Sequence, residues 1–145
     1  MNDPSDSLLS PVRVFLDANV LFAASLGGGS AQLWDIPELQ LVTSVYAANE
    51  AFINLGNRED GLELQDELTK LLATTEVHTV ADEAGLFTPY RLKDPNDVPI
   101  LCGAIATHCQ YLRTADATCF GEFYGTKLDG VEVIKPGKLL AKFQN

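Results

Sequence analysis

The protein is a chain of 145 residues, the usual size of one domain with a proper hydrophobic core. Its composition, 46% hydrophobic and 21% charged with 11 glycines and 7 prolines, excludes a disordered or fibrous chain. The net charge of −10, from 20 acidic and 10 basic residues, argues against a surface that binds nucleic acid throughout.

The first eleven residues, rich in Ser, Asp and Pro, are expected to form a flexible leader before a single domain at residues 12–145. They lack a basic start and a long apolar run, so no signal peptide is expected. No apolar run approaches the roughly 20 residues of a membrane-spanning helix, which favours a cytoplasmic protein. The cysteines, Cys102, Cys109 and Cys119, have no CxxC spacing and are expected to be reduced and buried.

From residue 12 onward, short apolar runs alternate with segments of helical periodicity. Ser44 is a favourable N-cap for the helix that follows it, and Pro99 suits the first turn of another. Strands alternating with helices predict an α/β fold with a mainly parallel sheet and helices on both faces. The predicted strands are 12–16, 39–43, 76–80, 111–114 and 131–134, and the predicted helices are 19–26, 30–34, 45–55, 61–73, 98–110 and 119–124.

Four carboxylates each interrupt an apolar or neutral stretch of this pattern: Asp17, Glu50, Asp97 and Asp116. An isolated charge in such a stretch is costly unless it is paired or holds a metal. Asp17 and Asp116 follow predicted strands, and ligands of a parallel sheet collect outside the carboxyl ends of its strands. Carboxylates without His or Cys suit a hard cation such as Mg²⁺ or Mn²⁺. The pattern therefore predicts one shared cation site.

Each of these carboxylates also has a purely structural interpretation. Asp97 is well placed to cap the helix that follows it. Asp17 and Asp116 are typical turn residues, because an Asp side chain bonds to its own backbone. Glu50 has no basic residue within four positions along its helix, although it could simply face solvent.

Taken in order, five segments resemble the PIN-domain family of metal-dependent ribonucleases, especially the toxins of bacterial VapBC-type toxin–antitoxin pairs. The similarity extends over nearly the whole chain, from residue 12 to residue 143. One departure is Thr-Ala-Asp at 114–116, where the family often has Thr-Gly-Asp; the hydroxyl and the carboxylate are kept. The segments are VFLDANVL at 14–21, NE at 49–50, DPNDVPIL at 94–101, YLRTAD at 111–116 and VIKP at 133–136.

The resemblance implies a three-layer α/β/α PIN-like fold and an endoribonuclease that hydrolyses RNA phosphodiester bonds with Mg²⁺ or Mn²⁺. It also implies an antitoxin protein as partner and a homodimer. The implied catalytic residues and metal ligands are Asp17, Glu50, Asp97 and Asp116, and the implied supporting residues are Asn19, Asp94 and Thr114.

Three other classes of protein share parts of this pattern. A haloacid-dehalogenase-like phosphatase needs a second Asp where this chain has Asn19, and a receiver domain needs paired early acids and a five-fold βα repeat. A PIN-like module that only binds other proteins remains the main alternative. The acidic net charge bears on RNA binding, but half of the basic residues lie in the last 33 positions, so a basic surface near the C-terminus is possible.

Overall fold

A computed structural model describes residues 11–79, 98–114, 120 and 123–143. The predicted leader therefore lies outside the described residues, except for Pro11, as do residues 119, 121 and 122 of the predicted helix 119–124. In chain order the elements are β1 (Val12–Leu16), α1 (Ala18–Ser25), a 3₁₀ helix (Gly29–Asp35), β2 (Leu39–Ser44), α2 (Val45–Gly56), α3 (Gly61–Leu72), β3 (Glu76–His78), α4 (Val98–Ala106), β4 (Tyr111–Arg113), β5 (Lys127–Leu128), β6 (Val131–Ile134) and α5 (Pro136–Phe143).

The strands form one sheet in the order β3-β2-β1-β4-β6-β5. All pairs are parallel except β5 with β6, and β1 lies between β2 and β4. Val14, Phe15 and Leu16 are consecutive in β1 and all 0% exposed. Because successive strand residues point to opposite faces, both faces of the sheet are covered. The predicted three-layer α/β/α fold with a mainly parallel sheet is confirmed.

Helix α4 packs directly on the central strand through a glycine. A Cβ atom at Gly103 would lie 2.7 Å from Cζ of Phe15, closer than such atoms can approach. The glycine therefore lets the helix backbone approach the Phe15 ring closely. Cys102 and Cys109 are buried thiols, as predicted, while Cys119 lies outside the described residues.

The end of α4 differs from the prediction, which continued the helix to residue 110. The amide of Cys109 donates to the carbonyl of Ala104 over 3.0 Å, and the amide of His108 donates to that of Ile105 over 3.1 Å. His108 has a φ of 58°. These features form a Schellman motif, which ends a helix with one left-handed residue. The sequence did not indicate this helix end, because the left-handed residue of such a motif is usually glycine.

The C-terminal part contains two elements that the sequence analysis missed. Strand β5 pairs with β6 through a two-residue loop at Asp129 and Gly130, whose φ values are 50° and 87°. An Asp-Gly pair with two positive φ angles is typical of a tight hairpin. The sequence therefore contained a turn signal, but the strand beside it is very short. Helix α5 begins at Pro136, and proline is favourable at the first position of a helix. In the sequence this proline indicated only the end of the preceding strand.

Among the described helices, none is long and apolar enough to cross a membrane.

Candidate functional site

Asp17 lies at the carboxyl end of the central strand and caps α1. Its Oδ1 accepts a hydrogen bond of 2.6 Å from the amide of Ala18, and its own amide donates to the carbonyl of Arg113 over 3.3 Å. The side chain is almost fully buried, with 3% of the residue exposed. The predicted position of Asp17 at a strand end is therefore confirmed, and its role as a helix cap adds to the turn role expected from the sequence.

Two predicted supporting residues bind the same carboxylate. The Thr114 hydroxyl donates to Oδ2 of Asp17 over 2.8 Å, and the Asn19 side-chain amide donates to that oxygen over 3.5 Å. Thr114 is fully buried and directly follows β4, the parallel neighbour of β1. The amide of Ala18 and the side chains of Asn19 and Thr114 are uncharged donors, and they orient the carboxylate through hydrogen bonds.

Glu50 lies on α2, which starts at the same edge of the sheet. Strands β1 and β2 run in parallel register as far as Phe15 and Val42, so α2 begins beside Asp17. The hydroxyl of Ser44 accepts from the amide of Ala47 and caps this helix, as predicted. Glu50 is partly buried and lies about 8 Å along the axis from the helix start.

Helix α4 also begins at this edge. Its C-terminal end lies at the amino end of β1, where the Thr107 carbonyl accepts from Nη2 of Arg13 over 2.9 Å, and Gly103 packs against Phe15. The helix therefore runs antiparallel to β1. At about 1.5 Å per residue, its first residue, Val98, is about level with the end of β1. Asp97 directly precedes Val98 in the sequence.

The remaining predicted site residues, Asp94, Asp97 and Asp116, lie outside the described residues. Asp116 follows Thr114 by two positions in the sequence. Within the part of the chain that the structure describes, no group of three or more His, Cys, Asp or Glu side chains could hold a metal. The structure thus brings Asp17, Asn19 and Thr114 together, while the four-carboxylate metal site stays a prediction.

Arg113, which was not among the predicted site residues, is buried beside this site, with 2% of the residue exposed. Its Nη2 donates to the Ser30 hydroxyl over 3.3 Å, but its Nε and Nη1 have no hydrogen-bond partner among the described residues. Burial lowers the pKa of Arg113 to about 10, partly offset by the nearby Tyr124. An arginine within the apolar run of β4 was the sequence signal for an unusual buried charge.

Tyr124 was also overlooked, and it holds the backbone of the site. Its hydroxyl donates to the carbonyl of Thr114 over 3.0 Å. The residue is only partly buried, so its ring connects the buried Thr114 to the protein surface. A tyrosine in this position restrains Thr114 from the side opposite Asp17's strand, because β4 separates β1 from β6.

No family model and no curated protein matches this chain. Several solved structures are similar to it, among them the two that follow. One is a chain of VapBC2 from Rickettsia felis, which was crystallised with a DNA fragment from the promoter of VapBC2. Its TM-score is 0.66 and its sequence identity is 13%, over 86% of this chain and 99% of that one. The other is Mycobacterium tuberculosis VapC20, a toxin that cleaves the sarcin-ricin loop, with a TM-score of 0.54 and 14% identity over 68% of this chain and 86% of that one. At such low identity the likeness concerns the fold alone, and that fold is the PIN-domain fold of VapC proteins.

Proposed function

Starting from a PIN-domain fold of the VapC type, we propose that this protein is a divalent-metal-dependent endoribonuclease and the toxin of a toxin–antitoxin pair. The observation that carries the proposal is the buried Asp17 carboxylate, oriented by Thr114 and Asn19 at the carboxyl edge of the sheet. Ligands of parallel sheets bind at that edge. Of the similar structures, one is a toxin that cleaves the sarcin-ricin loop, which supports an RNA substrate.

The proposed metal ligands fit Mg²⁺ or Mn²⁺ chemically. Asp17, Glu50, Asp97 and Asp116 offer only carboxylate oxygens, which these hard cations prefer. The edge of the sheet where Asp17 lies is also where α2 and α4 begin. When bound, the metal would lower the pKa of a water molecule and stabilise negative charge on the phosphate.

The residues around Asp17 have separate proposed tasks. Thr114 and Asn19 keep the Asp17 carboxylate in one orientation, so this side chain loses little further conformational freedom when a cation binds. Glu50, partly buried on α2, orients or deprotonates the attacking water. Asp94 is assigned a supporting role because of its place in the resembling segment 94–101.

The proposal extends to partners and location. The VapBC2 structure supports an antitoxin protein as partner, and the resemblance to VapC toxins supports a homodimer. An RNA substrate and an antitoxin would both be met in the cytoplasm. The acidic net charge of −10 means that RNA must approach through a locally basic surface.

The experiment is a cleavage assay on single-stranded RNA with the purified protein in Mn²⁺. We expect cleavage that stops in excess EDTA and in Asp17→Asn. The matched control is Asp60→Asn, since Asp60 is an exposed aspartate that pairs with Arg58 and is not among the proposed site residues. Cleavage that persists in Asp17→Asn or in EDTA contradicts the proposal. A protein that binds no Mn²⁺ and cleaves no RNA would instead be the protein-interaction module.

A further inference from the structure

A groove of about 310 Å³ lies along β6 and α5 and is lined by three lysines. The lining contains one acidic residue, Glu132. The groove is therefore basic in a chain whose net charge is −10. The residues of the lining that matter here are Tyr124, Glu132, Ile134, Lys135, Lys138 and Lys142.

The lysines form a row because of where they sit on α5. Lys138 and Lys142 are four positions apart and so lie on one face of the helix, while Leu139 is fully buried in the core. Lys135 directly precedes the helix. All three lysines are exposed. The row is about 10 Å long, which is long enough to contact more than one phosphate of a nucleic-acid strand.

The lysine at each end of this row lies over a tyrosine ring. The ammonium group of Lys135 lies 5.5 Å from the ring centroid of Tyr124, and that of Lys142 lies 5.7 Å from the ring centroid of Tyr111. Cation–π contacts at these distances are attractive and leave the ammonium donors able to bind a ligand. Side chains that are already positioned lose less entropy when they bind.

The groove begins beside the candidate site. The hydroxyl of Tyr124 donates to the carbonyl of Thr114, and the hydroxyl of Thr114 donates to the carboxylate of Asp17. Lys135 follows Ile134, the residue of β6 that pairs with Arg113 at the end of β4. From there the lysine row continues along the sheet towards Tyr111, the first residue of β4.

We propose that this lysine groove binds the phosphate backbone of the RNA strand on one side of the cleaved bond. This inference rests on the proposed ribonuclease function. A protein partner is less well suited, because protein interfaces centre on large apolar side chains. The large exposed apolar residues of the described chain all lie on other elements, namely Leu26, Val45, Tyr46, Ile53, Leu62 and Val77.

The test measures RNA binding separately from cleavage. In the Asp17→Asn background, the affinity for a labelled single-stranded RNA is measured at several salt concentrations, with and without Lys138→Gln and Lys142→Gln. We expect affinity to fall roughly ten-fold or more and the salt slope to fall by about 1.4, because each phosphate contact contributes about 0.7 for single strands. Lys70→Gln with Lys127→Gln is the matched control, since both lysines are exposed and lie outside the groove lining.

The outcomes separate the two proposals. RNA affinity and salt slope that do not change in the groove variants overturn the lysine groove, even if the Asp17-intact protein cleaves RNA. Groove variants that lose only the binding of an acidic protein overturn it as well. Lysine-dependent RNA binding by a protein that never cleaves RNA supports the groove and overturns the nuclease function alone. No measurable RNA binding by the Asp17→Asn protein overturns the groove.

Discussion

The hydroxyl of Thr114 donates a 2.8 Å hydrogen bond to the carboxylate of Asp17, 97 positions earlier in the chain. Both residues are buried, and they follow the ends of neighbouring parallel strands. Hydrogen bonds to a buried charged group contribute about 1.5–3 kcal/mol to stability. This contact therefore both stabilises the junction of β1 and β4 and fixes the direction in which Asp17 presents its oxygens.

The first prediction concerns this hydrogen bond. Thr114→Val keeps the shape of the side chain but removes the donor, so Asp17 loses an orienting partner. We expect Mn²⁺ affinity and RNA cleavage to fall by about 10- to 100-fold, as is typical when the partner of a metal ligand is lost. Calorimetry and kcat/KM measurements test this. Thr114→Ser keeps the hydroxyl and should retain most activity; equal losses in the two variants would contradict an orienting role.

The second prediction concerns the buried charge of Arg113. Two of its nitrogens have no partner among the described residues, and burial lowers its pKa to about 10. At every pH below about 10 the guanidinium is charged in both the folded and the unfolded protein, so the full penalty for burying the charge is present, and this penalty declines as the pH rises above that value. We expect Arg113→Met to raise the free energy of unfolding by about 1–3 kcal/mol at pH 7.

Urea unfolding of Arg113→Met at pH 7 measures this gain in stability. Arg58→Met, which replaces an exposed arginine, is the control and should change stability little. A clear loss of stability in Arg113→Met would show that the guanidinium has a stabilising partner in solution.

The third prediction concerns acid stability at the amino end of the sheet. Arg13 donates to both carboxylate oxygens of Glu76, over 3.1 and 2.6 Å. Hydrogen bonds from Arg13, and then from His78, lower the pKa of Glu76 to about 2. Because the folded pKa is below the ordinary value, the pair stabilises the protein fully above pH 4.5 and loses its effect as the pH falls towards 2.

Glu76→Gln should therefore cost about 1 kcal/mol at pH 7, discounted for the 35% exposure of the carboxylate, and almost nothing near pH 2. Chemical unfolding at the two pH values tests this, with Glu67→Gln as a control in a more exposed pair with Lys70. A loss that is the same at both pH values would indicate packing rather than charge. RNA cleavage should be unaffected, since neither Arg13 nor Glu76 is among the proposed site residues.

The fourth prediction concerns the close contact between α4 and β1. In Gly103→Ala the new methyl group meets the Phe15 ring at 2.7 Å. The better helix propensity of alanine is worth about 1 kcal/mol, and overpacking costs about 1–3 kcal/mol, so we expect a net loss of stability. Gly29→Ala, where a Cβ meets no atom within 4 Å, is the control. Phe15→Leu should partly rescue Gly103→Ala; losses that simply add would contradict the steric explanation.

The central parallel strands were predictable because continuous apolar runs such as 12–16 encode burial on both faces locally. The cap at Ser44 was predictable for the same reason, since a cap depends on the residues next to it. The end of α4 was not, because His108 adopts a left-handed conformation that its residue type does not announce. The short strand β5 was missed because two residues carry no periodicity.

The candidate site was found only in part by sequence reasoning. The isolated position of Asp17 was a local signal, and energetic cost suggested that it needed a cation. The structure shows three uncharged donors on this carboxylate, from Ala18, Asn19 and Thr114, so hydrogen bonding accounts for part of that cost. The cost of burial alone is thus weaker support for a metal than the sequence suggested.

The sequence by itself determined the succession of most strands and helices along the chain, apart from β5 and α5, and which carboxylates stand apart from other charges, because both are properties of neighbouring residues. Only the tertiary structure decided that Thr114 reaches Asp17, that Arg113 is buried, and that lysines of α5 line a groove beside Tyr124. Those relationships join residues far apart in the chain. They depend on strand order, register and packing, which hydrophobic periodicity does not encode.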